Sequence, residues 1–194
     1  MVSVANPTPG TGQTARAGVE LVRAFVNTAN LEKGTDLLAT TGSTRDWLQT
    51  LDLVDEEPFT ESQRLRLIEV REALRVLIGA RPDEQVDPAA LAVLDGAGRT
   101  ARLTLAFSGD GSAALQADAT GVDRALGRIL TAAYAAMIEG SWHRLKTCNN
   151  DECRWAFYDQ SKNRSAKWCS MQPCGNRMKA RSYRARQEAA VEGL

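Results

Sequence analysis

Apolar residues recur along this chain with two different periods. Val19, Val22, Phe25, Val26 and Ala29 follow the three-to-four spacing of a helix that buries one face. A short helix starting near Ser43 would bury Trp47, Leu48 and Leu51. Thr60-Glu-Ser-Gln63 has the form of a capping box, in which the threonine hydroxyl and the glutamine side chain satisfy each other's free backbone amides. It opens a strongly amphipathic helix through Leu67, Val70, Leu74, Leu77 and Ile78. Asp87-Pro88 reads as an N-cap followed by proline at the first helical position, with the helix running to about Asp95. The period then drops to two. Leu103, Leu105 and Phe107, then Gly109-Asp-Gly111, then Ala113, Leu115 and Ala117 predict a β-hairpin with one apolar face. After Thr120 the helical period returns with Val122, Leu126, Ile129, Leu130, Ala133 and Met137. Residues 1–15 show no periodicity, are rich in Pro, Gly and Thr, and read as a flexible leader.

Composition changes this picture little. The chain has 194 residues, 43% hydrophobic and 25% charged, which suits a soluble protein with a full core. No run approaches a membrane span, and the N-terminus lacks the basic and apolar regions of a secretion signal. A cytoplasmic protein with reduced cysteines is the expectation. Charge is more informative. The formal net charge is zero, yet residues 144–186 hold eleven Lys/Arg against three Asp/Glu, while residues 1–143 hold thirteen against nineteen. A basic C-terminal part points to a polyanion partner.

All four cysteines fall within that basic part, as C-x4-C-x15-C-x4-C: Cys148, Cys153, Cys169 and Cys174. Two close pairs joined by a longer loop bring four thiolates together with little strain, and four thiolates suit one tetrahedral structural zinc ion. The alternatives are two disulfides or an iron–sulfur cluster. A four-thiolate site has no open position, which argues against catalytic zinc. Trp155, Phe157, Tyr158 and Trp168 flank the pairs and suit a mini-core, with base stacking as the rival use. His143, the single histidine, fits the end of the long helix better than a ligand position. No Walker loop, G-x-S-x-G or H-E-x-x-H is present, and Glu56-Glu57 reads as surface charge, so no enzyme is expected.

The last stretch, WCSMQPCGNRMKARSYRAR, resembles the CGNR zinc finger, with Cys174-Gly175-Asn176-Arg177 matching its naming motif. Phe157-Tyr-Asp159-Gln-Ser161 and Arg164 resemble the same family's stretch between the cysteine pairs. Leu21-Val-Arg-Ala-Phe25-Val-Asn27-Thr28 and Trp47-Leu48 resemble the companion ABATE domain. The resemblance implies a stress-induced transcription regulator whose finger binds double-stranded DNA. The sequence departs from the family in having Lys167 alone, not adjacent basic residues, before Trp168-Cys169.

The expected fold class is α+β: a flexible leader over 1–15, a mostly helical regulatory domain with one β-hairpin over 16–140, and a small treble-clef-like zinc finger over 141–190 ending in a basic helix. On that helix, Arg177, Arg181 and Arg184 share one face, Met178 and Ala185 turn toward the zinc knuckle, and Lys179 and Arg186 point away. These five basic residues, with Arg164 and Lys167, form the candidate nucleic-acid-binding set. Arg177 has a rival internal role as the partner of Asp159. Residues 16–140 have enough amphipathic helix to fold alone, so cysteine replacement should unfold only the C-terminal segment. A homodimer through the N-terminal domain and an unknown small-molecule effector are further expectations, and rival readings are a zinc-stabilised protein-interaction module and an RNA-binding protein.

Overall fold

A computed structural model describes residues 13–53, 59–81 and 84–192. Glu56-Glu57 and residues 1–12 of the expected leader lie outside them. The elements run α1 (Gln13–Val26), β1 (Ala29–Asn30), β2 (Thr35–Asp36), α2 (Thr41–Thr50), α3 (Glu61–Gly79), α4 (Pro88–Thr100), β3 (Leu103–Phe107), β4 (Ala113–Ala117) and α5 (Gly121–Ile138). A 3₁₀ turn (Trp142–Arg144), β5 (Leu145–Thr147), β6 (Ala156–Tyr158), a π-type turn (Met171–Gly175) and α6 (Asn176–Glu192) complete the chain. All strands pair as two-stranded antiparallel ladders. This is the mixed helix-and-hairpin architecture that the apolar periods imply.

The caps behave as the sequence requires. Thr60 Oγ1 accepts from the Gln63 amide at 3.3 Å and Gln63 Oε1 accepts from the Thr60 amide at 2.8 Å, closing the capping box of α3. Asp87 caps α4, with Pro88 at its first position. A second capping box, Thr40 with Ser43, starts α2. Four elements differ from the sequence reading. Residues 13–15 belong to α1, not to a leader. Ala29 leaves the helix and pairs in β1. Helix α4 continues five residues past Asp95, because Ala97 and Ala101 still find the core. The expected β3–β4 hairpin forms, with Leu105 opposite Leu115, but its apolar face is covered only in part: Leu103, Leu115 and Ala117 are half-buried, whereas Leu105 is 57% and Phe107 78% exposed.

The core is formed by α1, α3 and α5, through Val22, Phe25, Leu67, Leu74, Leu126 and Ile129 among others. Gly127 lets α5 lie against the hairpin, since a Cβ there would sit 2.4 Å from the Ala117 Cβ and 2.9 Å from the Ala101 Cβ. The core does not stop at residue 140. Leu145 of β5 and Ala156 of β6 are buried in the same cluster. The hairpin that leads to the cysteines is thus packed on α1 and α3.

Candidate metal centre and nucleic-acid interface

Hairpin β5–β6 pairs Leu145 with Tyr158, Lys146 with Phe157 and Thr147 with Ala156, and its connecting turn carries the first two cysteines. The Cys148 amide donates to the Trp155 carbonyl at 2.9 Å, and the amides of Cys153 and Arg154 both donate to the Asn150 carbonyl at 2.8 and 2.9 Å. Asn150 is fully buried, and its Nδ2 lies 3.9 Å from Cys174 Sγ. The Asn149 amide donates to the Lys167 carbonyl at 2.9 Å, which brings the second cysteine pair to the first. Cys169 precedes the π-type turn and Cys174 lies within it, the turn being closed by the Gly175 amide on the Ser170 carbonyl at 3.0 Å.

The four Sγ atoms all lie within 4.8 Å of one another. Cys153 to Cys169 and Cys169 to Cys174 are each 3.7 Å. Zinc–sulfur bonds of about 2.3 Å in a tetrahedron put the sulfurs about 3.8 Å apart, so the donor set fits one zinc ion. Without a cation four thiolates repel. Burial pushes the Cys153 thiol up to about 11. Burial, the neighbouring thiols and the charge of Cys148 raise Cys169 as well. At Cys148 burial works against ionisation, but hydrogen bonds from the backbone amides of Cys169 and Asn150 and from the Cys174 and Cys169 thiols outweigh it and lower the thiol. Cys148 is thus the sulfur of the cluster that gives up its proton most readily, and a divalent ion is what would let the others follow. Trp155 and Trp168 pack on the cysteines as a mini-core, and Tyr158 packs on the main core.

Asp159, 1% exposed, organises the loop toward the third cysteine. Its carboxylate accepts from Lys146 Nζ at 2.7 Å, the Ser161 amide at 2.9 Å and the Ala166 amide at 3.0 Å. Burial opposes the charge, but these donors together hold its carboxyl well below the usual carboxylate range. The rival role of Arg177 as a brace on Asp159 is not realised. Lys146 takes that place, and Arg177 instead pairs with Glu32 Oε1 at 3.0 Å. His143 lies in the 3₁₀ turn, beyond the end of α5, and is not in the cysteine cluster.

The basic candidates separate into two groups. On α6, Arg177 pairs with Glu32, and Arg181 pairs with Glu152 at 3.5 Å; both arginines remain substantially exposed. Lys179 and Arg184 are exposed with no ion pair among the described residues, and the side chain of Arg186 lies outside them. Met178 is half-buried, while Ala185 is also outside the described side chains; the thioether against Gly175 comes from Met171, whose Sδ would lie 2.9 Å from a Cβ there. Arg164 and Lys167 are elsewhere, on a cleft facing the C-terminal end of α3.

Sequence reasoning missed the groups that join this unit to the helices before it. Asn27, at the end of α1, holds β6 by its edge: Nδ2 donates to the Ala156 carbonyl and Oδ1 accepts from the Ala156 amide, both at 2.8 Å. Arg75, fully buried on α3, donates Nη2 to the Val26 carbonyl at 2.6 Å, Nη1 to the Arg154 carbonyl at 3.0 Å and Nε to Glu72 at 2.9 Å. It thereby satisfies an orphan carbonyl at the end of α1 and ties the cysteine turn to α3. Gly79 allows β5 close to α3, since a Cβ there would meet Thr147 Oγ1 at 2.8 Å. The visible signal was the placement of Arg71 and Arg75 on the apolar face of α3. The expectation that cysteine loss leaves residues 16–140 untouched does not fit this shared core.

No curated protein matches the chain. Residues 144–187 match the CGNR zinc finger family, which spans all four cysteines and most of α6. Residues 20–140, more than half of the chain, match ABATE, described as "Putative stress-induced transcription regulator". With a four-cysteine cluster that fits zinc and a helical domain packed against it, the chain belongs to the ABATE family and carries a C-terminal CGNR zinc finger.

Proposed function

We propose that the protein is a cytoplasmic, non-enzymatic transcription regulator that binds double-stranded DNA through α6. In this reading residues 16–140 form its regulatory domain and residues 141–190 its finger. Cys148, Cys153, Cys169 and Cys174 hold one structural zinc ion, which supplies the folding energy that a segment this short lacks. The observation that carries the DNA reading is α6 itself. It has five Lys/Arg against two Glu, and every described side chain on it is exposed except that of Met178. Among the described residues α6 packs chiefly on the turn that precedes it, so packing gives little reason for so many arginines on its open surface. Surface pairs such as Arg177–Glu32 and Arg181–Glu152 contribute about 0–1 kcal/mol each, so phosphate oxygens can take over these guanidinium groups. The packed aromatics argue against RNA binding by stacking.

A single finger has a small interface, which favours a homodimer. The exposed Leu105 and Phe107 on the β3–β4 hairpin support one formed by the N-terminal domain. The test is selection of genomic fragments by the zinc-loaded chain, followed by fluorescence anisotropy at several salt concentrations. Arg181→Ala and Arg184→Ala should each weaken binding to all sequences and reduce the salt slope by about one unit. Binding that is absent at low salt, or unchanged in both variants, would leave α6 as a protein-interaction helix.

A further inference from the structure

The cleft that holds Arg164 and Lys167 lies where the N-terminal helices meet the finger. One wall is the C-terminal end of α3, and the other is β5 with the loop before Cys169. Its volume is about 840 Å³, inside the range of about 300–1,000 Å³ typical of small-molecule sites. The floor is apolar, with Leu77, Ile78 and Trp142 contributing to it. The rim is cationic, with Arg81, Arg164 and Lys167. No carboxylate lines the cleft among the described residues. Among the described residues Arg81 pairs with Glu84 alone, at 3.6 Å and on an open surface.

The cationic rim is built rather than incidental. Arg164 has φ +51°, a left-handed conformation that is costly for a side chain with a Cβ and persists only where neighbours impose it. Those neighbours are visible. Lys146 Nζ donates to the Arg164 carbonyl, the Ala166 amide donates to Asp159, and the Ser165 amide donates to Ser161 Oγ at 3.2 Å. The Lys146–Asp159 pair neutralises itself beneath the loop, and among the described residues Arg164 and Lys167 have no carboxylate partner.

We infer that this cleft is a binding site for an amphipathic organic anion, a flat or compact apolar body carrying one carboxylate or sulfonate. The apolar body lies on Trp142, Leu77 and Ile78. The acid group meets Arg81, Arg164 and Lys167, where guanidinium forks suit a planar carboxylate. A phosphate backbone alone would leave the apolar floor unused. Because the two walls belong to α3 and to the finger, an occupant changes how firmly one is held against the other. This gives chemical form to the small-molecule effector expected for the N-terminal domain, and it stands or falls without reference to DNA binding.

The test uses the full zinc-loaded chain, labelled with ¹⁵N, and 1-naphthoate as probe. Its neutral counterpart, 1-naphthalenemethanol, and a short DNA duplex form the other two arms. Naphthoate should give saturable amide shifts confined to residues 77–81, 142–147 and 164–167. The neutral alcohol should bind roughly tenfold more weakly or worse, and so should naphthoate to the Arg81→Ala/Lys167→Ala double variant. Both changes are on exposed side chains and leave the amide spectrum otherwise intact. Equal binding of the alcohol, unchanged affinity in the double variant, or no saturable shift up to millimolar naphthoate would overturn the proposal. So would displacement of naphthoate by the duplex with the same residues shifting, which would assign the cleft to the DNA backbone. Loss of duplex binding alone, with naphthoate binding retained, would overturn the DNA reading and leave this site standing.

Discussion

Asn27→Ala tests whether the finger is joined to the helical domain as the structure has it. The amide side chain makes two hydrogen bonds of 2.8 Å to the backbone of Ala156, a residue with no exposed surface. Truncation removes both partners and leaves an orphan amide and an orphan carbonyl on the edge of β6. An unsatisfied buried polar group costs about 1–3 kcal/mol. Asn27 itself is half-buried, so water can reach part of the gap. A net loss of about 2–4 kcal/mol is therefore expected. For a chain of this size it corresponds to a fall in Tm of about 5–15 °C. Calorimetry on the zinc-loaded protein is the assay, with urea unfolding as a check. Wild type should unfold in one transition, because Leu145 and Ala156 share the core of the N-terminal helices, and the variant should move that whole transition. Asn27→Asp keeps the acceptor for the Ala156 amide but sets an oxygen against its carbonyl, so it should not rescue. Two separate transitions in wild type, or a loss under about 0.5 kcal/mol in Asn27→Ala, would refute the argument that these two hydrogen bonds couple the units.

Chelation of the metal should unfold residues 148–192 and also lower the Tm of the remaining helices, as should Cys174→Ser; circular dichroism with and without added zinc reads both, and an unchanged N-terminal transition would contradict the shared core. Asp159 has its folded carboxyl held low, against about 3.9 unfolded, so its stabilisation is complete above about pH 5 and is lost as the pH falls from there toward the folded value. The stability gap between wild type and Asp159→Asn, followed by urea unfolding, should therefore be constant from pH 6 to 8 and narrow on acidification, while any acid release of zinc affects both proteins alike. Gly127→Ala should cost about 1–3 kcal/mol in the same assay, because the new methyl meets Cβ atoms fixed to two other elements and neither can swing away.

Local chemistry made much of this protein legible in one dimension. The Thr60–Gln63 capping box, the Asp87-Pro88 start and the change of period before the β3–β4 hairpin depend on groups a few residues apart, so their outcome is decided within the segment. The cysteine spacing belongs here too. Four thiols in two close pairs have few ways to arrange themselves, and the sequence reading anticipated the cluster that the fold contains. The end of α4 was not legible, because the extra turns depend on whether Ala97 and Ala101 find a neighbour. Nor was the exposed face of the hairpin, since alternation says which side chains share a face and nothing about whether that face is covered.

The fate of the charged side chains that join distant segments was decided by tertiary structure. Arg75 and Arg71 have the composition of a surface and the position of a core, and they are buried because backbone carbonyls and carboxylates from distant elements are there to receive them. Lys146, not Arg177, reached Asp159, because β5 lies beside β6 while the start of α6 lies near Glu32. Arg164 and Lys167, neighbours of α6 in sequence, turned to a cleft shared with α3. Long side chains take whichever partner the fold brings within reach. Pairing across 35 to 129 residues of chain, as in Arg71–Asp36 and Asn27–Ala156, is set by packing that no local pattern encodes.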